Sequence, residues 1–264
     1  MNVAVFVKHV PDTTEADLQV AADGRSLKAV GGLPYQMNEW DRFALEEGVR
    51  LKEASGGTLT AFLLGPEEHE ETLRRCLAVG ADRAVRVWDP ALERQGPVAA
   101  ARALAAAVGG EAFDLCLCGA QADDDGYGLV GPTLAVLLGM PSASLVNRLE
   151  VRDRVAVCAR ELEGGWSEVV ELDLPALITV QTGINEPRYV SVLGIRKARS
   201  KPIDLAGLDA LGLSPEAVGE TGSRLRVEAL APPPPGKEAE LFTGSPEEIA
   251  GRFVAVLKEK GGVL

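Results

Sequence analysis

Short β-type runs alternate with runs of helical period over the first half of this sequence, and that alternation restricts the chain to a small set of architectures. Residues 3–7 form an apolar run of the length of a buried strand. Asn38 stands where a helix begins: its side chain can accept a backbone N–H, with Asp41 three residues on. Trp40, Phe43, Ala44, Glu47 and Leu51 then fall at helical spacing until Gly56-Gly57 stops the run. A second strand is expected over 59–64. A helix opens at Pro66 with acids in its first turn and closes at Gly80. A strand over 84–87, an Ala-rich helix over 98–108, a strand over 113–118 and a helix over 131–138 complete the series. Strands separated by helices pair in parallel, so the expected class is α/β with a doubly wound, mostly parallel sheet.

After Met140-Pro141 the pattern changes. Residues 145–157, 158–161, 167–172 and 174–180 are β-rich, with Gly164-Gly165 as a hairpin turn. They extend the same sheet with antiparallel strands; a separate β domain is the alternative, although no linker marks one off. Pro232 to Pro235 forms a stiff spacer, and Ser245-Pro246-Glu247-Glu248 starts a helix bearing Ile249, Phe253, Val256 and Leu257 on one face. Two regions are therefore expected: an α/β nucleotide-binding domain over 1–205, including a docking loop at 184–201, and a C-terminal extension over 206–264 with its Pro tether at 232–235. The terminal helix is either an arm that packs at a distance, on another chain, or an ordinary helix folded onto its own sheet.

Composition excludes several classes. The net charge of −12 over 264 residues disfavours nucleic acid as a partner, because phosphate is repelled overall. No apolar run approaches the roughly 20 residues of a membrane span, and the start lacks the pattern of a secretory signal. A cytoplasmic protein, not membrane-embedded, is expected. Cys116 and Cys118 alternate with leucines on one strand and share a face; with Cys76 and Cys158 they read as small buried hydrophobes. With only His9 and His69 available, no metal cluster and no Ser/His/Asp or Cys/His constellation emerges, and no catalytic residue is assigned.

In open α/β sheets a ligand sits beyond the carboxyl ends of the strands, where the topology switches. Those ends are Val7-Lys8, Leu64-Gly65 and Cys118-Gly119, and Asn38 to Asp41 at a helix start can reach the same crevice. The loop after the fourth strand, 119–132, holds four glycines that let backbone N–H groups approach a ligand. It is not a Walker loop, since no Gly-Lys-Ser/Thr follows. Asp123-Asp124-Asp125 within it reads either as a solvated loop tip or as a divalent metal site.

Residues 174–203 begin as an apolar strand and pass through Asn185-Glu186-Pro187-Arg188-Tyr189 into a segment without a clean period. Apolar Tyr189, Val190, Val192, Leu193 and Ile195 stand beside Arg196, Lys197, Arg199 and Lys201. Apolar side chains rimmed by charge suit a partner-docking surface; a buried connector with a solvated basic tail is the other reading.

This segment, with the preceding Arg160 to Gly165 and Glu168 to Leu174, closely resembles the signature of the electron transfer flavoprotein β subunit. The likeness continues at Val7-Lys8-His9-Val10-Pro11-Asp12, at 38–53, at Gly80-Ala81-Asp82-Arg83 and at 119–131, and covers roughly residues 1–205. It implies an adenine nucleotide α-hydrolase-like fold and an electron carrier rather than an enzyme, active in fatty acid β-oxidation. That carrier is the β half of a heterodimer whose α subunit holds most of the FAD, and its β half carries a structural AMP. It accepts electrons from acyl-CoA and related dehydrogenases and passes them toward a membrane quinone oxidoreductase. Matching the family's nucleotide contacts are Phe6, Asn38, Glu39, Asp41, Leu64, and Gly119, Ala120, Gln121, Ala122, Asp123, Asp124, Asp125, Gly126, Tyr127, Gly128, Leu129 and Val130. Trp40 matches an aromatic near the flavin ring; Thr13 stands where a second aromatic is common. The family loop usually ends in Asn-Gln-Thr, where this chain has Gly128-Leu129-Val130, so phosphate contacts there fall to backbone N–H. Electron-bifurcating relatives hold FAD in this place. A family leucine that anchors in the dehydrogenase matches Val192, followed by Leu193, and Tyr189, Ile195, Arg196 and Lys197 complete the docking set. A stand-alone nucleotide-sensing domain is the rival of another class; it has no use for a docking segment or a tethered helix.

Overall fold

The computed structural model describes residues 1–14, 18–29, 32–234, 236 and 239–261. They form two compact units, Met1–Ala229 and Leu230–Leu264. In the first, β1 (Val3–Val7) is followed by β2 (His9–Pro11), β3 (Leu18–Val20), β4 (Leu27–Ala29) and β5 (Tyr35–Met37). β2 pairs with β5 and β3 with β4 in two small antiparallel ribbons. Strands of three residues carry too little periodicity to show in the sequence. Next come α1 (Glu39–Ser55), β6 (Leu59–Leu64), α2 (Glu70–Val79), β7 (Arg83–Val87), α3 (Pro97–Val108), β8 (Leu115–Gly119) and α4 (Val130–Leu138). The expected alternation is all present; Pro66 opens a single 3-10 turn, Glu67–His69, before α2.

β9 (Ser142–Arg152), β10 (Val155–Glu161) and β11 (Ser167–Asp173) form an antiparallel meander, and β12 (Ala176–Val180) follows. The single run expected over 145–157 is divided between β9 and β10. Asp153 and Arg154 turn the chain with φ of 47° and 66°, at a site lacking the glycine such turns favour. The chain continues through α5 (Val192–Arg199), β13 (Asp204–Ala206), α6 (Leu208–Leu211) and α7 (Gly219–Gly222). β13 pairs in parallel with β7, and Leu208 and Val218 are buried in the core. Residues 206–229 therefore belong with the α/β unit, and the structural boundary falls at Ala229 rather than at 205.

The strand order is β11-β10-β9-β12-β8-β1-β6-β7-β13. From β1 the chain steps outward to β6 and β7, then returns to place β8 on the other side of β1. Both neighbours of β1 are parallel to it, with Phe6 opposite Phe62 on one side and Cys118 on the other. The topological switch lies between β1 and β8. Helices cover both faces. Val3, Val5 and Ile178 pack with Ala44, Leu45 and Val49 of α1, while Ala4, Phe6, Phe62 and Cys116 pack with Leu104 of α3 and Leu134 of α4. Alternate residues of β1 thus serve opposite cores, as a strand buried on both faces requires. All four cysteines are free and buried, and burial pushes the thiols of Cys116 and Cys158 up to about 12 and about 11.

The second unit contains α8 (Pro246–Val256), which starts where expected. Ser245 Oγ accepts from the Glu248 N–H, and Glu248 Oε2 accepts from the Ser245 N–H at 2.9 Å, a reciprocal cap. The Arg252 guanidinium lies 4.7 Å from the centroid of the Phe242 ring. No described residue of this unit is buried, so the helix has no core of its own. Pro235, the last proline of the expected tether, and residues 262–264 lie outside the described residues. Among the described residues no helix is long and apolar enough to cross a membrane.

Candidate functional site

A cleft of about 850 Å³, including its open mouth, lies at the carboxyl ends of β1, β6 and β8. Phe6, Val7 and Lys8 come from β1 and its end, Leu64 from β6, and Cys118 and Gly119 from β8. The loop after β8 contributes Ala120, Gln121, Ala122, Asp125, Tyr127, Gly128, Leu129 and Val130. Asn38 and Asp41 reach it from the first turn of α1. Of the sequence-matched residues, Glu39, Trp40, Asp123, Asp124 and Gly126 do not line it. Trp40 is half-buried, its Cβ against Gly119.

Asn38 does not cap α1 with its side chain, contrary to the sequence expectation. Its Oδ1 accepts from the Asp123 N–H at 3.0 Å and its Nδ2 donates to the Gln121 carbonyl at 2.9 Å, pinning the glycine-rich loop. The helix start is satisfied instead by Asp123, whose carboxylate accepts from the Glu39 N–H at 2.9 Å. Long-range contact with the loop outcompetes the local cap, a choice the sequence does not reveal.

The other two aspartates are also engaged. Lys8 Nζ donates to Asp124 at 2.6 Å and to Asp125 at 2.8 Å. Burial pulls the Lys8 ammonium down, but the two carboxylates, Asp124 foremost, hold it above its ordinary range. The acidic run is thus a clasp across the mouth of the cleft, and no group of three metal-ligating side chains occurs among the described residues. Two helices begin at the cleft, α3 through Pro97 and α4 through Val130 and Gly131, and neither has a side-chain cap. Their free N–H groups favour an anion. The walls are mainly apolar, from Phe6, Leu64, Ala100 and Leu104. Within them the Gln95 Oε1 is buried without a hydrogen-bond partner among the described residues. Such an orphan costs about 1–3 kcal/mol unless a ligand satisfies it. Apolar walls, convergent N–H groups and one unmet polar atom fit a mononucleotide. Gln95, Pro97, Ala100 and Leu104 also line the cleft and were not read from the sequence, since α3 is Ala-rich and Gln95 before it belongs to no motif.

Asp41 is the buried hub of the site. Its Oδ2 accepts from the Lys8 N–H at 2.7 Å and its Oδ1 from the Gly119 N–H at 2.8 Å, joining the ends of β1 and β8 to α1. Burial pushes its carboxyl from 3.8 up to about 7, against the pull of those two bonds. The folded protein therefore holds this proton more tightly than the unfolded chain, and the contribution to stability declines as pH rises from about 4 to about 7. In Asp41→Asn that decline is absent, and one of the two N–H groups loses its acceptor. We expect the stability advantage of wild type over Asp41→Asn to shrink by about 3–5 kcal/mol between pH 4 and pH 8. Urea titrations of both proteins check this; an advantage that grows with pH contradicts it.

The segment after β12 is not a loop but a helix, α5, capped by Ser191, whose Oγ accepts from the Gly194 N–H at 2.9 Å. Val192 is 85% exposed, Leu193 60% and Tyr189 99%, with Ile195, Arg196 and Lys197 also open to solvent. Lys201, read as the end of the basic run, instead donates from Nζ to the Ala81 carbonyl at 2.8 Å. Asn185 is buried, donating from Nδ2 to the Phe43 carbonyl at 3.0 Å and to Glu47 at 2.9 Å. Arg188 clamps Glu46 and Glu53 of α1 at 2.9 and 2.8 Å. One helix, α1, thus supports the cleft with its first turn and the turn leading toward α5 with its middle. Neither histidine lines the cleft: the rings of His9 and His69 lie tilted against each other with centroids 4.5 Å apart, and burial holds both below the usual imidazole range.

The parallel sheet, the cleft at its switch point and the glycine-rich loop define an α/β protein of doubly wound type whose cleft has the form of a small-molecule site. Comparison with known proteins narrows the class. Residues 29–211 match the family model of the electron transfer flavoprotein domain. The chain is 38% identical to the electron transfer flavoprotein subunit beta of Methylophilus methylotrophus over 99% of its length and 100% of the relative's. It is 34% identical to the human subunit beta, over 100% and 99% of the two chains. It is also 36% identical to the caffeyl-CoA reductase–Etf complex subunit CarD of Acetobacterium woodii, over 98% and 99%. The chain belongs to the electron transfer flavoprotein family, as a β subunit, and the family implies an α-subunit partner and electron transfer rather than classical enzyme catalysis.

Proposed function

We propose that this subunit works in a single-flavin carrier: it holds AMP as a structural ligand in the cleft and helps its α subunit to enclose FAD. The carrier takes electrons from acyl-CoA and related dehydrogenases and delivers them toward a membrane quinone oxidoreductase. The observation that carries this reading is the cleft itself, where a loop pinned by Asn38 meets two uncapped helix starts. FAD, when bound in the complex, supplies the electron chemistry. This chain's residues bind and orient: the N–H groups at the start of α4 meet the phosphate, the apolar walls take the base, and Lys8 closes the mouth against Asp124 and Asp125. Trp40 would stand near the flavin, where its aromatic ring would exclude water. The second unit is an arm whose helix packs on the α subunit; a helix without a core of its own supports that reading. The site is in the cytoplasm.

Docking falls to the exposed apolar face of α5. Replacing Val192 and Leu193 together by Ala should slow reduction by an acyl-CoA dehydrogenase roughly tenfold or more, the effect of removing a buried anchor at an interface. Stability and bound flavin should stay unchanged, since both side chains are exposed. Stopped-flow reduction of the heterodimer checks this, and unchanged kinetics would sink the assignment.

Two observations favour a second reading. Leu129 and Val130 stand at the loop end where a phosphate partner is usually polar, and the relative from Acetobacterium woodii belongs to a caffeyl-CoA reductase complex. An electron-bifurcating subunit with FAD in the cleft accommodates both.

A further inference from the structure

One polar side chain on the wall of the cleft has an oxygen, shielded from solvent, for which the protein supplies no partner. Gln95 stands directly before the Gly96-Pro97 start of α3 and lines the cleft. Its Oε1 is buried and has no hydrogen-bond partner among the described residues. A carboxamide turns readily about its last bond, so either its oxygen or its NH2 group can be presented to a ligand. The surrounding walls, from Phe6, Leu64, Ala100 and Leu104, are apolar and suit the faces of a flat ring. Gln95 follows β7, whereas the glycine-rich loop follows β8, three places away in the order β8-β1-β6-β7. At ordinary strand spacing that is about 14 Å, a separation on the scale of a mononucleotide laid across the strand ends.

We propose that Gln95 reads the base in this cleft, its carboxamide pairing with the amine edge of a 6-aminopurine. The inference rests on the nucleotide reading above and names the specificity of that site. On its N7 edge a 6-aminopurine presents a donor amine beside the N7 acceptor. The carboxamide matches both at once, its oxygen accepting and its NH2 donating. On the same edge a 6-oxopurine presents two acceptors, O6 and N7, so the carboxamide satisfies only one of them whichever way it is turned. Discrimination follows from an unmet buried acceptor rather than from size.

The test uses the full chain, freed of bound nucleotide by unfolding and refolding, and titrated with AMP and with IMP by calorimetry. Wild type should prefer AMP by roughly tenfold or more. In Gln95→Leu, which keeps the reach of the side chain but has neither donor nor acceptor, AMP affinity should fall by a similar factor. IMP affinity should stay within about threefold, removing the preference. The comparison of AMP with IMP on wild type needs no variant and stands if Gln95→Leu fails to fold. Wild type binding AMP and IMP equally, or Gln95→Leu keeping the preference, overturns the role of Gln95 while leaving nucleotide binding intact. Wild type binding neither overturns the nucleotide reading and Gln95 with it.

Discussion

Arg188→Met should destabilise the protein by about 3 kcal/mol. The side chain of Glu46 is only 4% exposed and accepts from Arg188 through both Nε and a terminal nitrogen, at 2.9 and 3.1 Å, as well as from the Arg188 backbone. Burial pushes the Glu46 carboxyl up, but Arg188 prevails and holds it below its ordinary range. Removing one partner of a buried pair leaves the other uncompensated, a loss of about 3–5 kcal/mol. Arg50, 3.1 Å from Glu46 on the next turn of α1, partly compensates and places the effect at the lower end. Glu53 is half exposed and adds little. For a chain of this size the midpoint of thermal unfolding should fall by about 6–12 °C. Because the Glu46 carboxyl is depressed in the folded state, the stabilisation is present above its ordinary range and is lost as pH falls, so the penalty should shrink below about pH 4. A penalty under 1 kcal/mol at neutral pH contradicts this assignment.

Gly119→Val should be comparably damaging, through the nucleotide cleft. A Cβ on Gly119 would lie 2.5 Å from Asp41 Oδ1 and 2.6 Å from Trp40 Cβ, distances that nonbonded atoms do not occupy. The end of β8 and the first turn of α1 must then separate. Overpacking costs about 1–3 kcal/mol. Loss of the bond from the Gly119 N–H to Asp41 leaves a buried group unmet, for about 1–3 kcal/mol more. Asn38, which holds the loop from the same turn of α1, shifts with it, so the variant should also purify with less bound nucleotide. Thermal unfolding and nucleotide release check the two parts; a variant with wild-type stability and full nucleotide content would show that the strand–helix contact is not needed.

The β/α alternation was legible because each long element carries its own period: the apolar run at 59–64 is β6, residue for residue. The switch-point cleft was legible for the same reason, since strand ends and a glycine-rich loop can be placed from the sequence. What escaped depends on contacts far apart in the chain. Asn38 carries a helix-cap signature yet serves a loop more than eighty residues away. The segment after Tyr189 shows no clean period because it is one short helix, with Gly194 set against the Ala78 carbonyl of α2. β13 is three residues long and is defined only by its pairing with β7. Gln95 has no motif at all; only the burial of its oxygen marks it.

The central claim is that this subunit contributes a structural AMP rather than a second flavin. Its most direct test is to co-express the chain with its α subunit, denature the purified heterodimer and quantify the released nucleotides by chromatography with absorbance. One FAD and one AMP per heterodimer is the predicted result. Two FAD and no AMP would contradict it and make this cleft a redox site.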